Sequence, residues 1–303
     1  MLLSHLTRRV GVIPAYTMGL RCFAMATTSP QSFVLDRGQF NEAYSQVRSL
    51  WFAGLPKDSK TANVETAKRW FGVGSSDDDR AAYDSECRSR FGSVLDSVGP
   101  DKLKLPPFES YEKDIEQAIA LSAPFHAEVQ TALANDSNEG AETLLALILL
   151  LDQMPRNIYR DPAGLKLLYT HYDRISLSLM YSNLPLLSHP LWRGKPHYLI
   201  WLALPFIHAE HIPSHEIARE AMARCKAECE KDGNEAATGF INMGEKSMAQ
   251  HLEPLEKFGR YPHRNQCLGR VNTEEEEAFL ETAETFGVKQ DENRGKKEHR
   301  DEL

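Results

Sequence analysis

The stretch LLALILLLDQMPRNIYR, Leu144–Arg160, decides how this chain is read. Its apolar run, Leu144–Leu151, is far short of the roughly 18 residues a membrane helix needs, so it reads as a helix buried in a protein core. The run ends in Asp152, Gln153, Arg156 and Asn157, with Pro155 among them. Proline has no N–H to donate and its ring clashes with the preceding turn, which predicts that the helix stops at Gln153 and the chain bends. Asp152 and Gln153 would then sit at a helix C-terminal mouth, with Arg156 and Asn157 at the bend. A bare carboxylate is disfavoured there by the helix dipole, so Asp152 needs a cationic partner. Arg156 is close in sequence. Arg260 and Arg264 would serve as well, from the second stretch EKFGRYPHRNQ (Glu256–Gln266), where Pro262 is followed by Arg264 and Asn265.

The bulk numbers set the frame. The 303 residues suffice for one large domain, and 42% hydrophobic with 26% charged residues is ordinary for a soluble fold. A net charge of −8 argues against nucleic-acid binding, whose footprint is basic. Five cysteines without scaffold spacing do not make a disulfide framework.

Helix signals dominate and strand signals are scarce. Phe40–Trp51 carries Tyr44, Val47, Leu50 and Trp51 at helical spacing. Ser76 followed by three aspartates predicts a helix start, with Tyr83, Cys87, Phe91, Val94 and Leu95 as its buried stripe. Thr273-x-x-Glu276 is a capping box; the stripe Phe279, Leu280, Ala283, Phe286 follows, with Gly287 as the closing residue. Further helices are expected near Tyr111–Ala134, Ala141–Gln153, Gly164–Tyr181, Lys195–Pro205, Ser214–Lys231 and Lys246–Phe258, joined by polar linkers such as ANDSNEG and KDGNEAATG. The expectation is a single all-α domain of helical hairpins over residues 36–287.

The two ends read differently. Residues 1–35 hold Arg8, Arg9 and Arg21 and no acid, the composition of a mitochondrial transit peptide; a start at Met25 would instead leave a cytosolic chain. The tail, 288–303, ends in Arg300-Asp301-Glu302-Leu303, which looks like an ER-retention signal but reads better as a charged frayed end. Targeting-like ends on such a body suggest a eukaryotic chain.

RWFG (Arg69–Gly72), LLALILLLDQMPRNIYR, LPFIHAEH (Leu204–His211) and EKFGRYPHRNQCLGR (Glu256–Arg270) resemble, in order, the motifs of the DUF924 family. That family is uncharacterised and grouped with TPR-like helical folds. The resemblance spans roughly Phe40–Phe286 and implies a TPR-like superhelix, with no known reaction. The family commonly reads His-Ser-Glu-Asp where this chain has His208-Ala209-Glu210-His211, so His208 and Glu210 carry over while a hydroxyl and a carboxylate do not.

Two accounts of these loops compete. In one, Asp152, Arg156, Arg264 and Asn265 form a buried ion-pair lattice that pins two loops together. In the other, Gln153, Asn157 and the arginines 156, 260 and 264 converge on a small anionic metabolite. His208 or His263 would then act as general acid or base, oriented by Glu210 or Asp152. Three arginines against one aspartate favour the second. A non-enzymatic TPR-like scaffold for a partner protein is the alternative outside chemistry.

A metal-dependent hydrolase is a further alternative. His208, His211 and His215 could hold zinc, with Cys225 and Cys229 completing the set, though Pro213 interrupts their spacing. No nucleotide-binding loop or nucleophile elbow occurs in the sequence, and no cofactor is implied. Trp51, Trp70 and Phe71 read as core anchors rather than a cofactor box.

Overall fold

The structure, a computed structural model, describes residues 33–72, 74–286 and 288. The targeting-like segment up to Ser32, Gly287 and the tail beyond Val288 lie outside them. Among the described residues every regular element is helical.

Helix α1 (Arg37–Trp51) starts from Asp36, whose carboxylate accepts from the Gln39 amide. A short helix that the periodicity did not announce, α2 (Val64–Phe71), is capped by Asn63 and closed by Gly72 at φ +67°. Helix α3 (Asp77–Ser97) starts at Ser76 as expected, and a capping box that was not foreseen there is completed by Asp79. The segment expected as one helix from Tyr111 breaks into α4 (Tyr111–Glu116), α5 (Ala118–Leu121) and α6 (Ala123–Asn135). Pro124 has no N–H to bond back across the break, and the Ser122 hydroxyl instead takes the Ala118 carbonyl.

Asp136 caps α7 (Ser137–Ile148), which packs against α6 as a tight hairpin. A π turn, Leu149–Gln153, leads into α8 (Met154–Ile158). After α9 (Pro162–Leu167) a second π turn, Leu168–Tyr172, leads into α10 (Asp173–Ser182). Two 3-10 turns precede α11 (Pro196–His208), and α12 (Ile212–Lys231) and α13 (Glu235–Phe258) pack beside it in succession. Helix α13 begins eleven residues earlier than expected, since Asn234 caps it inside the supposed linker. A 3-10 turn (Pro262–Arg264), α14 (Asn265–Leu268) and α15 (Glu274–Leu280) follow. The Thr273–Glu276 capping box forms, but α15 stops at Leu280 and Phe286 folds back instead of extending its stripe.

Nearly all of α11 and the C-terminal half of α7 are buried, and these two helices contact each other in one hydrophobic core running from Leu35 to Met248. Apolar burial of this kind stabilises by roughly 25 cal/mol per Å², so the two greasiest segments end up at the centre. Their C-terminal ends therefore meet deep in the protein, and polar groups placed there are taken out of water. No helix among the described residues is long and apolar enough to cross a membrane.

Candidate functional site

Pro155 does not end its helix. The Met154 amide reaches back five residues to the Leu149 carbonyl, and this π register lets the chain remain helical through the proline. The side chains that follow take over part of the carbonyl bonding. Arg156 Nη1 donates to the Asp152 carbonyl at 3.2 Å and Asn157 Nδ2 to the Gln153 carbonyl at 3.1 Å. The extra residue in the turn rotates Asp152 into the interior rather than leaving it at a helix mouth, and it is fully buried.

The last residue of α11 meets it there. His208 Nδ1 lies 2.9 Å from Asp152 Oδ1, while Gln153 Nε2 donates to the other carboxylate oxygen. Arg156 Nε donates to His208 Nε2 at 3.4 Å. A nitrogen that accepts from an arginine carries the lone pair, which assigns the proton to Nδ1, where it is donated to Asp152.

Asp173, which follows the second π turn, is the acid the sequence reading missed. It accepts from Arg156 Nη1 at 2.8 Å, and Arg264 Nη1 lies 3.8 Å from its other oxygen. The Arg264 guanidinium is stacked on Tyr169 and Tyr261, 4.2 and 4.6 Å from the ring centroids. Arg156 Nη2 also stands 3.7 Å from Asp152. The cluster thus balances two arginines against two aspartates, not three against one.

Burial governs proton affinity here. It pushes the Asp152 carboxyl above its ordinary value, against the pull of Arg156, Gln153 and Arg264. It pushes His208 well below its ordinary value, and Arg156 adds to that. Burial and Arg264 do the same to His263, as burial and the neighbouring His208 do to His251. All three imidazoles are accordingly neutral around pH 7. For Arg156, burial opposes the charge but Asp152 and Asp173 override it.

A cavity of about 240 Å³ opens on this cluster. Its polar wall comes from Gln153, Arg156, Tyr169, His208, His251, His263 and Arg264, and its apolar wall includes Trp70, Phe71, Trp201 and Phe286. Gln153, Arg156, His208, His263 and Arg264 are thereby brought together as expected. Asp152 lies behind the wall, reaching the cavity through His208 and Gln153.

Four expected residues serve elsewhere. Glu210 does not orient a histidine. Its two oxygens are both taken by Arg270 at 2.7 Å, and one also accepts the Tyr261 amide. Arg260 is clamped by both oxygens of Glu276 at 2.6 and 2.7 Å, and Asn265 donates to Asn272 and Glu276. These three tie the 3-10 turn to Arg270 and α15; of them only Asn265 belonged to the expected lattice. Asn157 lines a neighbouring cavity of about 320 Å³ with Arg69 and Arg160.

Tyr169, Asp173 and His251 went unread in the sequence. The one local clue is the four-residue spacing of Tyr169 and Asp173 within a helical stretch. Trp51 is an anchor, fully buried against Trp201, whereas Trp70 and Phe71 line the cavity.

The histidine–cysteine zinc set does not assemble. Helix α12 begins at Ile212, so His211 is its N-cap and bonds Ser214 and faces Glu112, while His215 bonds the Tyr261 hydroxyl. Cys225 and Cys229 are buried thiols whose pKa burial raises, that of Cys225 to about 12. Among the described residues, Asp152, Asp173 and His208 have ligand atoms within 4.8 Å of one another. The Arg156 guanidinium already bonds all three residues, so a divalent ion fits only if Arg156 withdraws.

Comparison with known proteins gives a family and a fold neighbour. The protein of unknown function ATU0120 from Agrobacterium tumefaciens is 23% identical, with a TM-score of 0.43 over 80% of this chain and 98% of that one. No curated protein matches. Residues 47–284 match the family described as bacterial protein of unknown function, DUF924, and on that match the chain belongs to the DUF924 family.

Proposed function

We propose that the protein binds a small organic anion in the 240 Å³ cavity, and that His208, held by Asp152, accepts a proton from it only once Arg156 has moved off its Nε2. One observation carries this reading. Two cavity-lining guanidiniums keep buried N–H groups, Arg156 Nη2 and Arg264 Nε, with no hydrogen-bond partner. A buried donor left unsatisfied costs about 1–3 kcal/mol, which a carboxylate oxygen would recover once a small side-chain shift turns the donor to the cavity surface. The Asp152–His208 pair has the arrangement in which a buried aspartate fixes the tautomer of a catalytic base. The volume exceeds the ~150 Å³ that holds benzene and falls below the ~300 Å³ where drug-sized ligands begin, which suits a small metabolite.

Native against denaturing mass spectrometry of the protein from its own source tests the proposal. An organic anion retained by the native protein and lost from Arg264→Met, with circular dichroism unchanged, is the expected result. A protein that arrives empty and whose melting temperature no carboxylate or phosphate raises would overturn it. The exposed apolar side chains Val64, Ile119, Met243 and Val271 sit on separate segments and give the scaffold reading no observation in its favour.

A further inference from the structure

The wall opposite the arginines is built of rings. Trp201, 1% exposed, is met edge-on by Trp70 at 4.9 Å and in a stacked arrangement by Phe71 at 5.9 Å. Phe71, at the end of α2, is 46% exposed and leaves part of its ring open to the cavity. The Trp201 indole N–H is buried and unpartnered, so this wall too lacks an acceptor. A fourth ring closes the cavity from another side. Phe286, at φ +54°, is the one non-glycine residue with positive φ among those described. It stacks on His251 at 3.7 Å and meets His263 edge-on at 5.4 Å. A bulky side chain seldom takes that backbone conformation, and here it accompanies the seating of the ring on His251 and His263.

These features restrict the ligand. A bare phosphate or acetate would fill the arginine end and leave Trp70, Phe71 and Phe286 uncovered. A long alkyl chain would exceed the volume. Aromatic walls favour offset-stacked and edge-to-face partners, and an indole N–H donates to either an oxygen or a ring face.

Resting on the anion-pocket reading, we propose that the occupant is a single-ring aromatic carboxylate. Its ring lies against Trp70 and Phe71, which Trp201 backs from the core, and its carboxylate faces Arg156 and Arg264.

Calorimetric titration of the full chain with benzoate, cyclohexanecarboxylate, acetate and inorganic phosphate tests this, repeated on Phe71→Ala and Trp201→Phe. Benzoate should bind at least about tenfold more tightly than the other three, a gap of about 1.4 kcal/mol. Phe71→Ala, a change at a half-exposed position that should leave the fold intact, should weaken benzoate several-fold and leave acetate unchanged. Equal affinity for benzoate and acetate or phosphate would overturn the aromatic assignment while the anion pocket stands. Equal affinity for benzoate and cyclohexanecarboxylate, or indifference of benzoate to both ring variants, would overturn it as well. If none of the four binds at millimolar concentration, both readings fall together.

Discussion

Arg156→Ala is the perturbation that tests the cluster most directly. The side chain is 21% exposed and bonds Asp173 at 2.8 Å, the Asp152 carbonyl at 3.2 Å and, more loosely, the Asp152 carboxylate at 3.7 Å. Removing one partner of a buried ion pair costs about 3–5 kcal/mol, because the other charge is stranded. Asp173 would keep Arg264 at 3.8 Å, so the loss belongs at the low end, about 3 kcal/mol. For a domain of this size, that lowers Tm by roughly 6–12 °C.

The pH dependence adds a sign. Asp152 already has its folded pKa raised by burial, and Arg156 is its largest opposing influence. Without the arginine the folded pKa climbs further. A group raised in the folded state favours folding below its unfolded value, and that contribution is lost as pH rises through the folded value. The variant's deficit should therefore be larger at pH 8 than at pH 5. Urea unfolding followed by circular dichroism at both pH values measures it. A shift in Tm below about 2 °C, or a deficit that grows on acidification, would refute the argument.

Two further outcomes are expected. Gly140 lies where a Cβ would come within 2.3 Å of Leu133 Cγ and 3.0 Å of its Cα, so Gly140→Ala should overpack the α6–α7 hairpin and cost about 1–3 kcal/mol in urea unfolding. Glu276 is held below its ordinary 4.5, at about 2, first by Arg260. Its stabilisation should be complete above 4.5 and disappear as pH falls towards 2, and an acid titration of Glu276→Gln should lack that component.

The parts legible in the sequence are those fixed by neighbours three or four residues away. The capping box at Thr273 formed because a hydroxyl and a carboxylate at that spacing satisfy each other's amides whatever surrounds them. The apolar run from Leu144 is buried because nothing else can be done with it. The all-helical class followed from the same local regularities, and the family from the resemblance of four motifs. Even Gln153, Arg156, His208, His263 and Arg264 could be gathered by chemistry alone.

Where local rules misled, a longer-range term outweighed them. Proline should stop a helix, yet burial of the Leu144–Leu151 run against α11 keeps it helical, and the lost donor is absorbed by one π turn. Only the tertiary structure decided which charge meets which. Arg260 went to Glu276 and Glu210 to Arg270, leaving Arg156 for Asp173, 17 residues away, and His208 for Asp152, 56 residues away. Opposite charges attract without regard to sequence position, so spacing along the chain carries no record of the pairing. Which carboxylate comes within 3 Å of a guanidinium is set by how helices pack, and with it which arginines keep a donor free for a ligand.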